Sequence, residues 1–332
     1  MRYHYTRAFI VEGTLALAGK PQEITLFDEP REGVGLKFVL TSAPDSFLMD
    51  ADKTAAVGII TCSKISVAGF PPPPPAKPPS VIVDEIRSKR KQLLEQRMVL
   101  VCQFDGTADP LNIHGKIESE GDRFAYFNRN EIDKITAKHE KEIDRAIASL
   151  FAADPAIVRF EPLAESFRFA DSDGLEILAV AFGGYASSVR RTGIDPEMEV
   201  KLKTEFERCF RSDKDLKTVT RLLSDSLLAK DNRLRSFLAV WTSLEVFVSK
   251  FSTPARLSKE KSTSPNLPAQ VFRFDSAAFN LGLDDLAEKE IAFKKIKCLR
   301  DAFVDLGEDV DDSSFPIEET QALVRAFLKK IQ

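Results

Sequence analysis

The chain has 332 residues, of which 43% are hydrophobic and 30% are charged. That length can bury more than one core, so we expect two or three globular domains. The formal net charge of -4 excludes a global basic field, and any contact with nucleic acid therefore needs a local patch of cations. Four widely separated cysteines lack metal-site spacing, and no apolar run approaches the ~20 residues that span a bilayer. We expect a cytoplasmic protein with reduced cysteines and without metal, cofactor or membrane.

Residues 1–70 are predicted to form a β-rich domain. Segments 8–17, 23–27, 35–40 and 58–62 are rich in β-branched and aromatic residues, and Gly, Pro, Asp and Asn separate them. This pattern predicts short antiparallel strands in a sandwich or barrel-like arrangement. Because the region has no cluster of catalytic residue types, we expect it to bind a partner or to act as a scaffold.

Residues 71–79 read P-P-P-P-P-A-K-P-P. Such a run disfavours a sheet ladder or a helix interior, so it predicts a polyproline II linker that rises about 3.1 Å per residue. A stiff spacer is the expected role. A ligand for an SH3- or WW-type module is the alternative.

Residues 80–190 mix helices and strands. An amphipathic helix is predicted over 83–94, and a buried strand is predicted over 98–104. A second helix begins at an Asn130 cap, and the turn residues 171–174 lie between two apolar segments, which predicts a hairpin. This α+β region either continues the first domain or forms a second one.

Residues 195–332 are predicted to be almost entirely helical. Asp195 and Pro196 are a strong helix start, because a side-chain acceptor precedes a residue preset for the first turn. Apolar residues at helical spacing predict helices over 195–210, 214–229, 232–251, 285–306 and 317–331, with a polar loop over 252–270. The third helix should be central, with Trp241, Leu244 and Phe247 in the core. The whole chain is thus predicted to be an α+β multidomain protein.

The helical third resembles the HEPN superfamily. The resemblance rests on segment 231–245, which contains Trp241 and the Leu244–Glu245 pair, on the helix that carries Arg300, and on the closing amphipathic helix. With a β-rich region in front, the chain is most similar to the anti-phage type of HEPN protein. The resemblance implies an all-α HEPN-like bundle over 195–332 that forms a homodimer and acts on RNA.

In active members of that family, an arginine and a polar residue precede a histidine by four to six positions. Two copies meet across the dimer and cut RNA without metal. Here Arg300 matches the arginine, Asp301 matches the polar neighbour, and Asp305 stands at the histidine position. Aspartate, with a reference pKa of about 3.9, is a poor general acid at neutral pH. The motif is therefore degenerate, and we expect the chain to be inactive as written.

Three interpretations of Arg300 and Asp305 stay open. In the first, they form an ion pair or a solvated pair in a non-catalytic bundle. In the second, a metal-independent endoribonuclease works through Arg300 with another group such as Glu245. In the third, the aspartate replaces a histidine and silences a toxic nuclease.

Lys294, Lys297 and Arg300 recur at intervals of three, near one face of the same helix. Such a stripe predicts RNA contact, and the alternative is an ordinary solvated face. The expected function is an RNA-linked role in anti-phage defence or regulation, with the β-rich region binding a protein or phage trigger. A metal-independent endoribonuclease and a structural protein–protein interaction module are the alternatives.

Overall fold

The computed structural model describes residues 1–15, 22–31, 34–63, 77–94, 97–170, 174–180, 191–193, 196–211, 216–228, 232–252, 269–304 and 314–331. The fold is mixed α+β, with the strands in the N-terminal half. The chain divides into two compact units. The sheet unit comprises Met1–Glu140 and Arg159–Lys203, and the helical unit comprises Lys141–Val158 and Thr204–Gln332. The predicted boundaries at 71–79 and 195 stay predictions, because residues 64–76, 194 and 195 lie outside the described part.

One mixed sheet forms the centre of the sheet unit. Its strand order is β2-β3-β4-β1-β7-β8-β6-β5, with β9 beside β1. The long strand β1 pairs antiparallel with both β4 and β7, whereas β6 and β8 pair in parallel. The strands are β1 Arg2–Leu15, β2 Glu23–Arg31, β3 Val34–Thr41, β4 Arg97–Thr107, β5 Ile113–Ser119, β6 Asp122–Phe127, β7 Arg159–Ala170, β8 Glu176–Ala179 and β9 Arg191–Gly193.

The described helices α1 Met49–Ser63 and α2 Pro79–Leu93 lie wholly in this unit, and α3 Arg129–Ala153 lies partly in it, as do the first residues of the helix that begins at Pro196. The predicted strand over 58–62 is wrong, because these residues form the last turns of α1. Acidic residues in its first turn, Asp50 and Asp52, favour the helix. Pro79 is the first residue of α2, where its missing N–H costs nothing. The rest of the linker up to residue 76 lies outside the described residues.

One face of the sheet is aromatic. Tyr5 is fully buried and stacks on Phe167 with ring centroids 4.3 Å apart, and it also stacks on Phe104 at 5.6 Å. The imidazole of His139, on α3, lies 4.3 Å from the Phe104 ring and accepts or donates a 2.8 Å hydrogen bond with the Tyr3 hydroxyl. The first part of α3, up to Glu140, therefore packs on this face.

The opposite face changes character along the strands. Ala8 and Ile10 pack with Val99, Val101 and Leu48 in an aliphatic cluster. Toward the start of β1, the same face carries His4 and Thr6, which are directly opposite Asp105 and Gln103 of β4. Strand alternation thus gives β1 one aromatic side and one side that runs from apolar to polar.

The helical unit contains α4 from Thr204 onward, the C-terminal part of α3, and the helices that follow. The described helices are α4 Pro196–Phe210, α5 Lys217–Leu228, α6 Arg233–Phe251, α7 Ala269–Asn280, α8 Leu286–Val304 and α9 Ile317–Lys330. Asn232 caps α6, because its side chain accepts a hydrogen bond from the Arg235 backbone N–H at 2.7 Å. Helix α7 was not predicted, and residues 253–268 of the predicted loop lie outside the described residues. Among the described residues, every helix is too short or too polar to cross a bilayer.

Large aromatic side chains fill the core of this unit. The prediction that Trp241, Leu244 and Phe247 are core residues is confirmed, since each is at most 2% exposed. The Phe293 ring of α8 stacks on two other rings. Its centroid lies 5.5 Å from that of Trp241 and 4.4 Å from that of Phe274 on α7. On α8, Ile296 is buried, whereas Ala292, Leu299 and Phe303 are half-buried.

Candidate functional site

The predicted motif lies at the C-terminal end of α8, where Asp301 holds two cations. The guanidinium of Arg300 donates to one Asp301 carboxylate oxygen at 3.0 Å, and the Lys297 ammonium donates to the other oxygen. The side chains of Lys297, Arg300 and Asp301 are 16%, 22% and 29% exposed. The structure therefore brings these three predicted site residues together, as an ion-paired cluster within one helix.

The third predicted cation, Lys294, forms an ion pair with Glu290, one turn earlier on α8. Each cation of the predicted RNA-binding stripe thus has a carboxylate partner on its own helix. Spacing of three or four residues favours such pairs on any helix, where each contributes about 0.2–0.5 kcal/mol. The pairs reduce the positive field that the stripe presents to a phosphate.

Glu245, the other predicted catalytic residue, lies on α6. The side-chain amide of Gln270, on α7, donates to its carboxylate at 2.9 Å. This bond connects α6 to α7 and uses one carboxylate oxygen. The described contacts thus give Glu245 a packing role rather than a contact with the Arg300 cluster.

Asp305, the residue at the predicted histidine position, lies outside the described residues. All three histidines belong to the sheet unit: His4 in β1, His114 in β5 and His139 in α3. Burial and the nearby Lys138 lower the pKa of His139 to about 4. The helical unit therefore contains no imidazole that titrates near neutral pH.

The sheet unit contains a second candidate site, which sequence reasoning missed. A cleft of about 450 Å³ lies between the first turns of α1, the β5–β6 turn and strands β7 and β8. Its lining combines three cations and three carboxylates with a small apolar floor: Asp50, Lys53, Gly121, Asp122, Arg123, Arg168, Leu175, Glu176 and Leu178.

Arg168 is the best-fixed cation of the cleft. Its Nε and Nη2 donate to the two oxygens of Asp50 at 2.9 and 2.7 Å, which is a bidentate pair. Its Nη1 donates to Glu176 at 3.0 Å. Hydrogen bonding to Asp50 raises the pKa of Arg168 above its ordinary value, against the opposing effect of burial. Asp50 is 11% exposed and Glu176 is 60% exposed, so the inner partner is fixed and the outer one faces water.

The other two cations of the cleft come from α1 and β6. Lys53 of α1 forms a 2.6 Å ion pair with Asp122 of β6. Arg123 contacts Glu118 through Nε at 3.3 Å, and the Glu118 side chain is 77% exposed and is not part of the cleft lining. The tight β5–β6 turn, with Glu120 and Gly121 at positive φ, places Asp122 and Arg123 at the rim.

His4 lies on the same sheet face, directly opposite Arg168 in the β1–β7 register. Its Nδ1 is 2.7 Å from an Asp105 carboxylate oxygen, and its Nε2 is 3.2 Å from the Thr6 hydroxyl. Because an ionised carboxylate only accepts, Nδ1 carries the proton in this arrangement. Both ring nitrogens are hydrogen-bonded and Thr6 is buried, so we interpret His4 as a structural link between β1 and β4 rather than as a catalytic base.

One signal in the sequence pointed to this polar face. Within the first strand, His4 and Thr6 alternate with Tyr3 and Tyr5, so the side opposite the aromatics is polar. The cleft itself draws on residues between 50 and 178, and no local pattern connects them.

The class that the structure defines is a mixed α+β protein with a sheet unit that holds a charged cleft and a helical unit that holds the Arg300 cluster. Comparison of the chain with protein-family models, with curated proteins and with solved structures finds no match.

Proposed function

We propose that this chain is a HEPN-like protein with a degenerate site, which acts in RNA-linked regulation or anti-phage defence without cutting RNA. The observation that supports it is the Asp301 carboxylate, which binds both Lys297 and Arg300. The proposal includes a sandwich- or barrel-like front half and a HEPN-like helical bundle, as the resemblance implies.

Chemistry favours the non-catalytic alternative. Metal-independent cleavage needs a group that takes the 2′-hydroxyl proton near neutral pH and a cation that stabilises the phosphate. The helical unit contains no histidine, and Arg300 is already bonded to an acid. A carboxylate at the motif also repels the phosphate that an active site must hold.

The endoribonuclease is the weaker candidate. It would use Arg300 together with Glu245, yet the Glu245 carboxylate is hydrogen-bonded to Gln270. It would also have to break the Lys297–Asp301–Arg300 cluster before a phosphate could bind. The inactivated-nuclease interpretation depends on Asp305 and is tested directly by restoring a histidine there.

We propose a homodimer through the outer face of α8 as part of the same function. Ile291 on α8 is 69% exposed, and Phe279 at the end of α7 is 61% exposed. Association through these helices would cover both apolar side chains. The front half would then bind a protein or phage trigger.

RNA cleavage and binding by the full chain test the proposal. We expect no cleavage of a structured RNA in EDTA, either by the wild type or by Arg300→Ala. Cleavage that Arg300→Ala abolishes, while the exposed-surface control Arg273→Ala keeps it, would contradict the proposal. Cleavage and toxicity that appear only in Asp305→His would instead identify a silenced nuclease.

Asp301→Asn tests whether the α8 stripe contacts RNA. The change removes one negative charge beside Lys297 and Arg300, so we expect RNA affinity at low salt to rise about five- to ten-fold, with a steeper salt dependence. Asp225→Asn, on the exposed face of α5, is the charge-matched control. Equal affinities for the two variants would remove the stripe from the proposed function.

A further inference from the structure

The charged cleft of the sheet unit has the size and the construction of a small-molecule site. Its volume of about 450 Å³ lies within the range of about 300–1,000 Å³ that is usual for ligand pockets. Four different elements supply its charged side chains, and Leu178, which is 5% exposed, forms an apolar floor. Convergence of cations from separate elements around an apolar floor distinguishes it from a solvated helix face.

The inner wall of the cleft is already organised for an anion. Asp50 holds two donors of Arg168 in a bidentate pair, which fixes the plane of the guanidinium. The remaining end of the fork, Nη1, donates into the cleft to Glu176. A carboxylate of the protein thus occupies the position that an external anion would take.

Two further cations line the cleft. Arg123 is paired only weakly through Nε with the highly exposed Glu118, and such surface pairs contribute little. Lys53 reaches across to Asp122 and is about one-third exposed. When Glu176 turns outward, three cations face two carboxylates, and the lining carries one net positive charge.

We propose that this cleft binds the phosphoryl group of a small phosphomonoester, which displaces Glu176 from Arg168 and contacts Arg123 and Lys53. A ligand carboxylate offers one charge and two oxygens, which is what Glu176 already provides. A phosphomonoester offers about two charges and three terminal oxygens, enough to contact three separate cations. The phosphodiesters of an RNA chain carry one charge each, so the site favours the monoester.

This ligand site is independent of the function proposed for α8. All of its residues belong to the sheet unit, whereas the Arg300 cluster belongs to the helical unit. Failure of one proposal leaves the other standing, because the probes and the variants differ.

Isothermal titration of the full chain tests the proposal with four probes: inorganic phosphate, adenosine monophosphate, adenosine and succinate. We expect one site per chain for adenosine monophosphate, with no binding of adenosine or succinate. Binding of inorganic phosphate with similar affinity assigns the recognition to the phosphoryl group alone. Much weaker binding of inorganic phosphate shows that the ligand body contributes. Absence of saturable binding for both phosphate probes overturns the proposal, as does equal binding of succinate.

Two variants locate the binding in the cleft. Arg123→Gln should weaken the affinity about ten-fold, because one charge-assisted hydrogen bond is lost. Glu176→Gln should strengthen it about five-fold, because the competing carboxylate is removed. A gain of affinity cannot come from damage to the fold, so the second variant keeps the test meaningful if the first destabilises the unit.

Matched controls outside the cleft are Arg129→Gln and Glu140→Gln, both on exposed positions of α3 in the sheet unit. Both should bind adenosine monophosphate as the wild type does. If Glu176→Gln leaves the affinity unchanged, or if Arg129→Gln weakens it as much as Arg123→Gln does, the phosphate binds elsewhere and the cleft assignment is wrong.

Discussion

Arg325 on α9 caps the C-terminal end of α3 within the helical unit. Its guanidinium donates to three backbone carbonyls, of Phe151 at 3.0 Å, Pro155 at 3.2 Å and Ile157 at 2.6 Å. It also stacks 3.8 Å above the Phe151 ring. The carbonyls at a helix end have no partners within the helix, so this side chain supplies what the backbone lacks. We predict that Arg325→Ala destabilises the helical unit strongly.

The size of the effect follows from these contacts. Each hydrogen bond from the charged group is worth about 1 kcal/mol net here, since the outer carbonyl regains water when the side chain is removed. The guanidinium over the Phe151 ring adds about 1 kcal/mol. We therefore expect Arg325→Ala to lower the free energy of unfolding by about 3–4 kcal/mol, and Arg325→Lys by about 2 kcal/mol, because an ammonium reaches fewer carbonyls. Burial lowers the pKa of Arg325 to about 10 although Asp154 opposes the shift, so the group stays charged at neutral pH.

Urea unfolding followed by tryptophan fluorescence measures the free energy of unfolding of the helical unit. Trp241 is the single tryptophan of the chain and lies in the helical unit. The midpoint for Arg325→Ala should fall by about 1–2 M at an unchanged slope. Arg221→Ala, an exposed position on α5, is the control and should stay within about 0.5 kcal/mol of the wild type. Equal midpoints for the two variants would refute the capping argument.

Two further predictions concern the sheet unit, and near-UV circular dichroism of its tyrosines follows both. Arg90→Ala leaves the 2%-exposed Asp52 without its main partner and should lower the free energy of unfolding by about 3–5 kcal/mol. Arg87→Ala, the control, should lower it far less. Equal losses for the two variants would contradict this prediction. Below about pH 6.5 the unfolded chain protonates His139 while the folded chain does not until about pH 4, so stability falls across this window by about 2–3 kcal/mol. His139→Phe should flatten that decline and His114→Gln should not; parallel curves for wild type and His139→Phe would exclude His139 as the cause.

Local sequence patterns predicted the elements whose periodicity agrees with their packing. Helix α6 is an example, since it spans Arg233–Phe251 against the predicted 232–251, and its core residues Trp241 and Leu244 lie where the apolar spacing of three and four requires. The hairpin between β7 and β8 was predicted from its turn residues, and the antiparallel pairing confirms it.

The errors fall where local pattern and tertiary context separate. Residues 58–62 are apolar and β-branched, which suits a buried strand, yet they continue a helix that begins at Met49. Helix α1 buries Ala56 with Ile82 and Val83 of α2, and those contacts decide the outcome. A short apolar run is ambiguous between strand and helix until its partners are known.

The cleft could not be predicted because no local rule connects its residues. Asp50 and Arg168 are separated by 118 positions and meet in a bidentate pair only after α1 packs on β7. In the sequence, each looks like an ordinary surface charge. Only the sheet order, which places β7 beside β8 and β8 beside β6, brings Arg168, Glu176 and Arg123 to one cleft.

For the stripe on α8, the sequence predicted the cations but not the net charge that they present. Its cations were predicted from spacing, and the structure places them on one helix as expected. The spacing that aligns Lys294, Lys297 and Arg300 also brings acids within reach, because Glu290 lies four residues before Lys294 and Asp301 lies four after Lys297. The net charge of such a face is therefore the number of its cations minus the number of acids that lie three or four residues away on the same helix. By that measure, Asp301 offsets part of the charge of Lys297 and Arg300, so the Asp301→Asn variant changes the net charge of this face without removing either cation.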